Sequence, residues 1–326
     1  MSRRVTVAVL SDIHYAGPAE QARGDDHEFA RLTNPFLRWP FRTVRNFAWM
    51  KHPIRQNRQL DRFLASVGEP DWVVGNGDFA CDGECLGLAD EATLESAREC
   101  LAKLRSRFGG RLRLTLGDHE LGKLSVCGDR GGLRLESWRR SVRAELGFTP
   151  CWQVALGNYV LLGVASTLLA LPTFARDSLA SERPAWEELR VAHLAEVRAA
   201  FEALRAHQRV LLFCHDPTAL PYLWREDAVR ARLGQIEHTI IGHLHSKLLL
   251  WKSRVLAGMP LIRFLGGNVQ SMSAALNEAR RWKEFRVRLC PALAGIELLN
   301  DGGFLTVKLD PEARRPARIQ FHPLPR

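Results

Sequence analysis

The sequence lacks several features that define large classes of protein. No apolar run reaches the roughly eighteen residues that a membrane-spanning helix needs, and no internal repeat, low-complexity tract or linker-like stretch interrupts the chain. The seven cysteines are odd in number and irregularly spaced in a long chain, which argues against a disulfide framework. These absences favour a single domain over residues 1–326.

The N-terminus also lacks the pattern of a secretory signal. Met1-Ser-Arg-Arg leads at once into Val5–Leu10, an apolar run that is too short for the core of a signal peptide and that predicts a β-strand. We therefore expect a protein that is retained in the cytoplasm.

Positive charge is in excess. The formal net charge is +10 and the sequence pI is about 9.7, which predicts affinity for an anionic partner. Phosphate substrates, an acidic membrane surface and nucleic acid all fit that description. The alternative is a generally soluble surface with many arginines, but the charge is clustered along the chain.

Apolar periodicity predicts alternating strands and helices, and hence an α/β fold. Helices are predicted over residues 57–67, 91–108, 137–146 and 184–207. Strands are predicted over residues 5–10, 71–75, 112–116, 160–164, 210–213 and 239–241. A hairpin is expected around Asn300–Gly303, joining strands over 295–299 and 304–309, with a further edge strand over 318–321.

Five short motifs follow these strand-like runs and contain five of the eleven histidines. They are Asp12-Ile13-His14, Gly77-Asp78, Gly117-Asp118-His119-Glu120, Cys214-His215 and Gly242-His243-Leu244-His245. Ligands bind beyond the carboxyl ends of strands in α/β sheets, so residues distant in sequence are expected to converge there. Carboxylate and imidazole groups together suit Mn²⁺, Fe or Zn²⁺ rather than Ca²⁺.

In this order the motifs resemble those of the calcineurin-like metallophosphoesterases. That family has Asp-x-His, Gly-Asp, Gly-Asn-His-Asp/Glu, a single His and Gly-His-x-His, and here the motifs run from Asp12 to His245. The resemblance implies a four-layer sandwich of two mixed β-sheets flanked by helices. It also implies hydrolysis of a phosphoester by water whose pKa is lowered by two metal ions.

The resemblance assigns a role to each motif residue. The first metal would be held by Asp12, His14 and His245, the second by Asp118, His215 and His243, and Asp78 would bridge the two. His119 matches the catalytic histidine that acts on the leaving oxygen, and Glu120 would orient His119 through a hydrogen bond. Two Mn²⁺ ions are expected, with Fe or Zn as alternatives.

One motif position departs from the family. Asp118 stands where the family usually has Asn, which adds a negative charge and removes an amide donor. An inactive, degraded site is one interpretation. Our hypothesis is that the second metal is held more tightly and that a nearby cation replaces the lost donor. Lys123 is the candidate for this substrate-binding cation.

The segment over residues 31–60, between the first two motifs, is expected to be a basic, aromatic helical insertion. It contains seven Arg or Lys residues and no Asp or Glu, interleaved with Phe36, Trp39, Phe41, Phe47 and Trp49. Pro40 is predicted to open a helix and Pro53 to close it. On this helix the arginines and the apolar residues would lie on different sides: Arg38, Arg42 and Arg45 on one, and Phe41, Val44, Phe47 and Ala48 on the other.

Such a composition is typical of an interfacial helix, with aromatic residues at the acyl boundary and arginines near lipid phosphates. Residues 247–290 form a second basic stretch, with Trp251, Phe264, Trp282 and Phe285. Core packing of the aromatic residues is the alternative for each stretch. Together they predict an anionic membrane surface as partner and a peripheral location on its inner face.

An enzyme at a membrane surface suggests a nucleotide-lipid or other lipid-linked phosphoester. Within the family the chain is similar, loosely, to the UDP-2,3-diacylglucosamine hydrolases of lipid A biosynthesis, although some of these have Arg at the position of His119. Other interpretations stay open. They are a nuclease that binds strands through basic and aromatic residues, a soluble phosphodiesterase for cyclic or other nucleotides, and a non-catalytic metal-binding scaffold.

Overall fold

The computed structural model describes residues 3–29, 34–125, 130–262 and 267–325. The strands in this part of the chain are β1 Val5–Leu10, β2 Trp72–Asn76, β3 Leu112–Thr115, β4 Cys151–Leu156, β5 Tyr159–Val164, β6 Arg209–Cys214, β7 Ile236–Ile241, β8 Val287–Leu289, β9 Gly303–Leu309 and β10 Arg318–Pro323. The α-helices are α1 Pro18–Ala22, α2 Pro35–Val44, α3 Asn57–Ser66, α4 Glu91–Phe108, α5 Asp118–Leu121, α6 Leu135–Val142, α7 Ser166–Leu169, α8 Leu171–Phe174, α9 Arg183–Glu202, α10 Leu220–Arg225, α11 Asp227–Arg230, α12 Lys247–Val255 and α13 Gly267–Glu278.

The strands form two mixed sheets. The first has the order β10-β9-β1-β2-β3. In it β1, β2 and β3 are parallel, and β9 is antiparallel to both of its neighbours, β1 and β10. The second has the order β4-β5-β6-β7-β8, in which only β4 is antiparallel to its neighbour. The prediction of two mixed sheets flanked by helices is confirmed.

Alternate apolar residues along the strands pack on opposite faces of each sheet. In β1, Val7 and Val9 belong to the core between the two sheets, together with Phe213 of the second sheet. Ala8 and Leu10 point the other way and pack against α3 and α4. On the far side of the second sheet the core includes residues of α9 and α10. The result is a helix–sheet–sheet–helix arrangement, and strands buried on both faces explain the nearly continuous apolar runs in the sequence.

The parallel strands bring their carboxyl ends to a common edge. The loop after β1 is tied to the loop after β2, because the Asp12 amide donates to the Gly77 carbonyl over 3.1 Å. In the second sheet the Gly242 amide, after β7, donates to the His215 carbonyl, after β6, over 2.9 Å. Every motif identified in the sequence follows one of these strand ends, which positions the site.

Three strand predictions need correction. β4 and the three-residue β8 were not predicted, although Trp152 and Val154 of β4 alternate with more exposed residues, as in a strand with one buried face. The predicted hairpin around Asn300–Gly303 is wrong, since 295–299 forms turns and β9 pairs with β1 and β10. Gly295 has a φ of 67°, and the Asp301 carboxylate accepts from the Ile296 amide over 3.0 Å, which curls the segment. The edge strand over 318–321 is confirmed as β10.

The insertion is helical, but its helix does not open at Pro40. It begins at Pro35, where the Asn34 side chain accepts from the Phe36 amide over 2.9 Å, and it carries Pro40 in its interior. An interior proline removes one helical hydrogen bond. The helix continues as a π-helical turn over Arg45–Trp49 and ends before Pro53.

The second basic stretch divides between core and surface. Trp282 and Phe285 are buried in the core, whereas Trp251 on α12 is 62% exposed. Phe264 lies outside the described residues, as does Arg31 at the start of the insertion. Two of the four aromatic residues noted in this stretch are therefore part of the core. In the part of the chain that the structure describes, no helix is both long and apolar enough to cross a bilayer.

Candidate metal centre

Four motif residues converge into a first buried cluster. Ligand atoms of Asp12, His14, Asp78 and His245 all lie within 4.8 Å of one another. His245 Nε2 is 3.3 Å from Asp12 Oδ1 and 3.4 Å from His14 Nε2. Loops after β1, β2 and β7 supply these side chains.

A second cluster shares one member with the first. Asp78, Asp118, His215 and His243 also place ligand atoms within 4.8 Å of one another. His215 Nε2 lies 3.2 Å from Asp78 Oδ2 and from Asp118 Oδ1, and His243 Nδ1 lies 2.9 Å from Asp118 Oδ1. Because Asp78 belongs to both clusters, its carboxylate lies where the predicted bridge between two ions would be.

The donor geometry fits a pair of divalent cations. His215 Nδ1 must donate to the Asn76 carbonyl, 2.6 Å away, so it is Nε2 that faces the cluster and that offers a lone pair to a metal ion when the ring is neutral. That buried Nε2 has no aligned hydrogen-bond partner among the described residues. In the first cluster the ring nitrogens of His14 and His245 face each other over 3.4 Å, an approach that a bound cation would favour. Three carboxylates and four imidazoles are donors that transition-metal ions prefer.

Backbone conformation also marks the ligands. Asp12, His14, Asp78, His243 and His245 all have φ between 49° and 58°, in the left-handed region. Non-glycine residues rarely adopt it, and such conformations cluster at functional sites, where the surrounding structure holds them in place. Five ligands of one centre share this strain.

Two glycines of the motifs are required because a larger side chain would clash with the ligands. A Cβ at Gly77, where φ is 91°, would lie 2.4 Å from His215 Nδ1. At Gly242 it would lie 2.0 Å from Ser11 Oγ and 2.6 Å from Asp12 Oδ2. Only glycine lets the backbone approach the ligand side chains so closely.

The two clusters differ in their protonation. In the first, burial lowers the pKa of His245 to about 3 and lowers the pKa of His14 well below its ordinary value, while burial raises the pKa of Asp12 to about 7. In the second, burial opposes the charge, yet Asp118 raises the pKa of His243 to about 9, and Asp78 raises the pKa of His215 well above its ordinary value. Without bound ions, the first cluster therefore favours neutral imidazoles and the second favours imidazolium–carboxylate pairs, so His215 and His243 must each lose a proton before they bind a metal ion.

His119 lies at the edge of both clusters. Its Nδ1 donates to the Cys81 carbonyl over 2.7 Å, which directs Nε2 toward the site, 3.8 Å from Asp78 Oδ2. Its ring centroid is 4.5 Å from that of His14. Burial, followed by the charge of Lys123, lowers the pKa of His119.

The expected role of Glu120 is wrong. Glu120 accepts from three backbone amides, those of Gly117 at 2.8 Å, Asp78 at 3.0 Å and Phe79 at 2.8 Å. It therefore fixes the two loops that carry Asp78 and Asp118, and the Cys81 carbonyl orients His119 instead. The side chain turns back on the N-terminus of its own short helix, a capping geometry that a ligand motif alone does not reveal.

Lys123 lies beside the second cluster, and its role in binding substrate stays a prediction. Its Nζ lies 3.6 Å from Asp118 Oδ2 and contacts Nε2 of His119. Burial disfavours the charge of this ammonium group, but Asp118 and Asp78 outweigh burial and raise the pKa of Lys123. A fixed cation thus stands beside the aspartate that departs from the family pattern.

The comparison with known families decides the assignment. The profile described as calcineurin-like phosphoesterase matches residues 5–247, which includes every ligand above. The chain belongs to the calcineurin-like phosphoesterase family.

Comparisons with curated proteins and with solved structures add little to the family assignment. No curated protein matches it. Among solved structures, a purple acid phosphatase from seeds of yellow lupin (Lupinus luteus) is similar, with 10% identity and a TM-score of 0.44. The alignment covers 99% of this chain and 52% of the phosphatase, so the chain spans about half the length of that protein.

One contact of the metal centre was missed by sequence reasoning. The ring of Trp49, at the end of the insertion, lies 4.7 Å from the ring of His245. Trp49 was noted only as one aromatic residue among several in the insertion. Nothing in its sequence context distinguishes it, because the contact joins residues that are far apart along the chain.

A cavity of about 830 Å³ extends from the metal centre of the phosphoesterase. One end is lined by His14, Asp118, His119, His243 and His245. The remainder is largely apolar and is lined by side chains from the insertion, α12 and α13, among them Trp49, Ile54, Leu249, Leu256, Met272 and Leu276. Its volume lies in the range of small-molecule binding sites.

Proposed function

We propose that this phosphoesterase hydrolyses a lipid-linked phosphoester or pyrophosphate, with UDP-2,3-diacylglucosamine as the specific candidate. The observation that carries the proposal is the apolar cavity that begins at the metal ligands. A nucleotide alone has no use for a long apolar wall, whereas acyl chains gain about 0.8 kcal/mol for each buried methylene.

The reaction would consume one water. The water oxygen forms a bond to one phosphorus of the pyrophosphate, the bridging P–O bond breaks, and UMP and a diacylglucosamine phosphate leave with the protons of the water shared between them. Two divalent ions, when bound to the clusters around Asp78, lower the pKa of water and neutralise charge on phosphate oxygens. We propose Mn²⁺ for both, with Fe or Zn as alternatives.

The chain's own residues supply the remaining steps. His119 Nε2 faces the site because the Cys81 carbonyl accepts from the other ring nitrogen, so His119 can donate to the departing oxygen when Nε2 carries a proton. Lys123 carries a positive charge 3.6 Å from Asp118 Oδ2. We assign Lys123 to a phosphate oxygen of the substrate, in place of the amide donor that Asn would provide.

Charge counting supports the role of Lys123. Two divalent ions are nearly balanced by the carboxylates of Asp12, Asp78 and Asp118, with Glu120 buried just behind them. An anionic substrate entering such a site would meet little net attraction. One ammonium group beside Asp118 offsets the charge that the aspartate adds, and it leaves a donor for the phosphate.

The test compares matched substrates with purified protein and Mn²⁺. UDP-2,3-diacylglucosamine, its deacylated counterpart and a chromogenic phosphodiester are assayed by release of UMP or chromophore. We expect kcat/KM for the acylated substrate to exceed that of the deacylated one by at least about 100-fold, because the cavity buries methylenes. Equal turnover of the two UDP-sugars would overturn the lipid substrate while leaving the phosphoesterase assignment in place.

A further inference from the structure

The helix of the insertion turns its apolar residues toward solvent. Phe36 is 86% exposed and Phe47 is 75% exposed, and Trp39 and Val44 are also exposed. Their spacing places them along one side of α2 and its π-helical turn. A helix on the surface of a globular protein normally does the reverse and buries such a stripe.

The opposite side of the same helix carries arginines that face the protein. Arg45 is buried and donates to Asp26 over 2.8 Å and to Glu28 over 2.9 Å. Arg42 pairs with Asp26 over 3.0 Å, and the Arg45 guanidinium lies 4.9 Å from the ring centre of Phe29. These contacts fix the rotation of the helix, so the apolar stripe has no freedom to turn inward.

This arrangement corrects the sequence-based picture of the insertion. We expected its arginines to face lipid phosphates, but Arg42 and Arg45 are held by acidic residues of the loop before the helix. Sequence periodicity separates the two sides of a helix but does not say which one faces the protein. Ion pairs to Asp26 and Glu28 decide that here.

A second apolar stripe lies on α12, a helix that also lines the cavity. Leu248, Trp251 and Val255 are exposed along α12, with the exposed cations Lys247 and Lys252 beside them. The two elements that carry the stripes both contribute to the cavity wall, through Trp49 of the insertion and through Leu249, Lys252 and Leu256 in and after α12. Trp49, Leu256 and Met272 both line the cavity and are partly exposed, so its mouth has an apolar rim.

We propose that these two stripes dock the phosphoesterase on an anionic lipid bilayer with the mouth of the cavity facing the membrane. The docking surface comprises Phe36, Trp39, Val44 and Phe47 of the insertion and Leu248, Trp251 and Val255 of α12. This proposal rests on the proposed function, since it explains how an acylated substrate reaches the metal centre without crossing water. Aromatic side chains enter the acyl boundary, and flanking lysines meet lipid phosphates.

Charge complementarity favours an anionic bilayer over nucleic acid. Nucleic acid needs cations at the centre of its contact surface, but the centre here is apolar, and Arg42 and Arg45 are already paired with Asp26 and Glu28. Exposed cations lie beside the apolar residues: Lys51 after the helix of the insertion, and Lys247 and Lys252 on α12. An apolar centre with a cationic margin matches a membrane containing acidic lipids.

The experiment is vesicle flotation at low salt with the full chain. Wild type is expected to float with phosphatidylcholine vesicles that contain phosphatidylglycerol, and much less with phosphatidylcholine alone. Trp39→Ser/Phe47→Ser should weaken binding by at least about tenfold. For a matched pair, Val44→Asp should weaken binding and Val191→Asp should not, because the two valines are 60% and 55% exposed but lie on different surfaces.

Several outcomes would overturn the docking surface. Absence of wild-type flotation would do so, as would variant binding equal to wild type or equal binding to neutral vesicles. Retention on single-stranded DNA without flotation would instead indicate a nucleic-acid surface, and concentration-dependent dimers abolished by Trp39→Ser/Phe47→Ser would indicate a second copy. Hydrolysis of a soluble chromogenic diester is measured in parallel and should be unchanged in every variant, so loss of the hydrolase function would be recognised separately.

Discussion

Charged groups normally lie at the surface of a protein and large apolar groups in its interior. The metal centre and the outer face of the insertion depart from this arrangement in opposite ways. At the metal centre, Asp12, Asp78 and His215 place charged groups in the interior. On the insertion, Phe36 and Phe47 place large apolar groups in solvent. Both arrangements cost folding free energy unless something external compensates. The comparison indicates that cations compensate the first region and that an apolar partner compensates the second.

The largest effect should follow from removing the residue that both clusters share. Asp78→Ala deletes a carboxylate present in each cluster, so we expect loss of both ions and no detectable turnover of a chromogenic diester. Metal content by mass spectrometry and activity are measured together. Asp61→Ala, at an exposed carboxylate paired with Lys103, is the control. An active Asp78→Ala protein would separate activity from this cluster and contradict the account.

A smaller effect is expected when the metal ligands stay intact. His119→Ala should lower kcat by roughly 10²–10⁴-fold, the contribution typical of a general acid–base group, with metal content unchanged. His207→Ala, at an exposed histidine, serves as the comparison. If His119→Ala hydrolysed diesters at the wild-type rate, the assignment of His119 to the leaving oxygen would be wrong.

The two clusters should differ in how their affinity for a metal ion depends on pH. Ion binding requires neutral imidazole and ionised carboxylate. Asp118 raises the pKa of His243 to about 9, so below that pH a proton must leave before the second ion binds. Burial raises the pKa of Asp12 only to about 7 and lowers that of His245 to about 3. His215 of the same cluster also has a raised pKa. Lowering the pH from roughly 8.5 to 7 should therefore weaken binding of the second ion by up to about tenfold per unit for each of these two histidines and spare the first ion.

Calorimetric titration of Mn²⁺ at several pH values, in buffers of different ionisation enthalpy, measures both affinities and the protons released. Two ions with the same pH dependence between these values would contradict the difference in protonation between the clusters. We expect the affinity for the first ion to decline only below about pH 7, where Asp12 takes up its proton.

The smallest expected effect concerns the departure at Asp118. Lys123→Ala should lower kcat/KM by roughly tenfold, because the added negative charge is no longer offset. In an Asp118→Asn background the same substitution should cost less, since the amide restores a donor and removes the charge. A double-mutant cycle with kcat/KM as readout measures this coupling. Independent effects of the two substitutions would show that Lys123 does not compensate for Asp118.

The metal centre could be predicted from sequence because strand ends and ligand types coincide. The run before Asp12 and the run before His215 both predict buried strands, and parallel strands bring their ends together. Glu120 was misassigned because its partners are backbone amides of Gly117, Asp78 and Phe79, and sequence does not specify such contacts.

The insertion could be predicted in composition but not in orientation. Its helix and its two sides follow from periodicity, while the direction of each side depends on Asp26 and Glu28, which lie before the helix and pair with Arg45. The contact between Trp49 and His245 depends on tertiary packing in the same way. Local pattern thus predicts elements and motifs, and long-range pairs decide how they face.

Anomalous diffraction from crystals grown with Mn²⁺ tests the central claim most directly. The account predicts two peaks roughly 3.5–4 Å apart, both in contact with the Asp78 carboxylate, one beside His14 and His245 and the other beside His215 and His243. A single peak, or peaks that do not touch Asp78, would contradict a two-metal hydrolase.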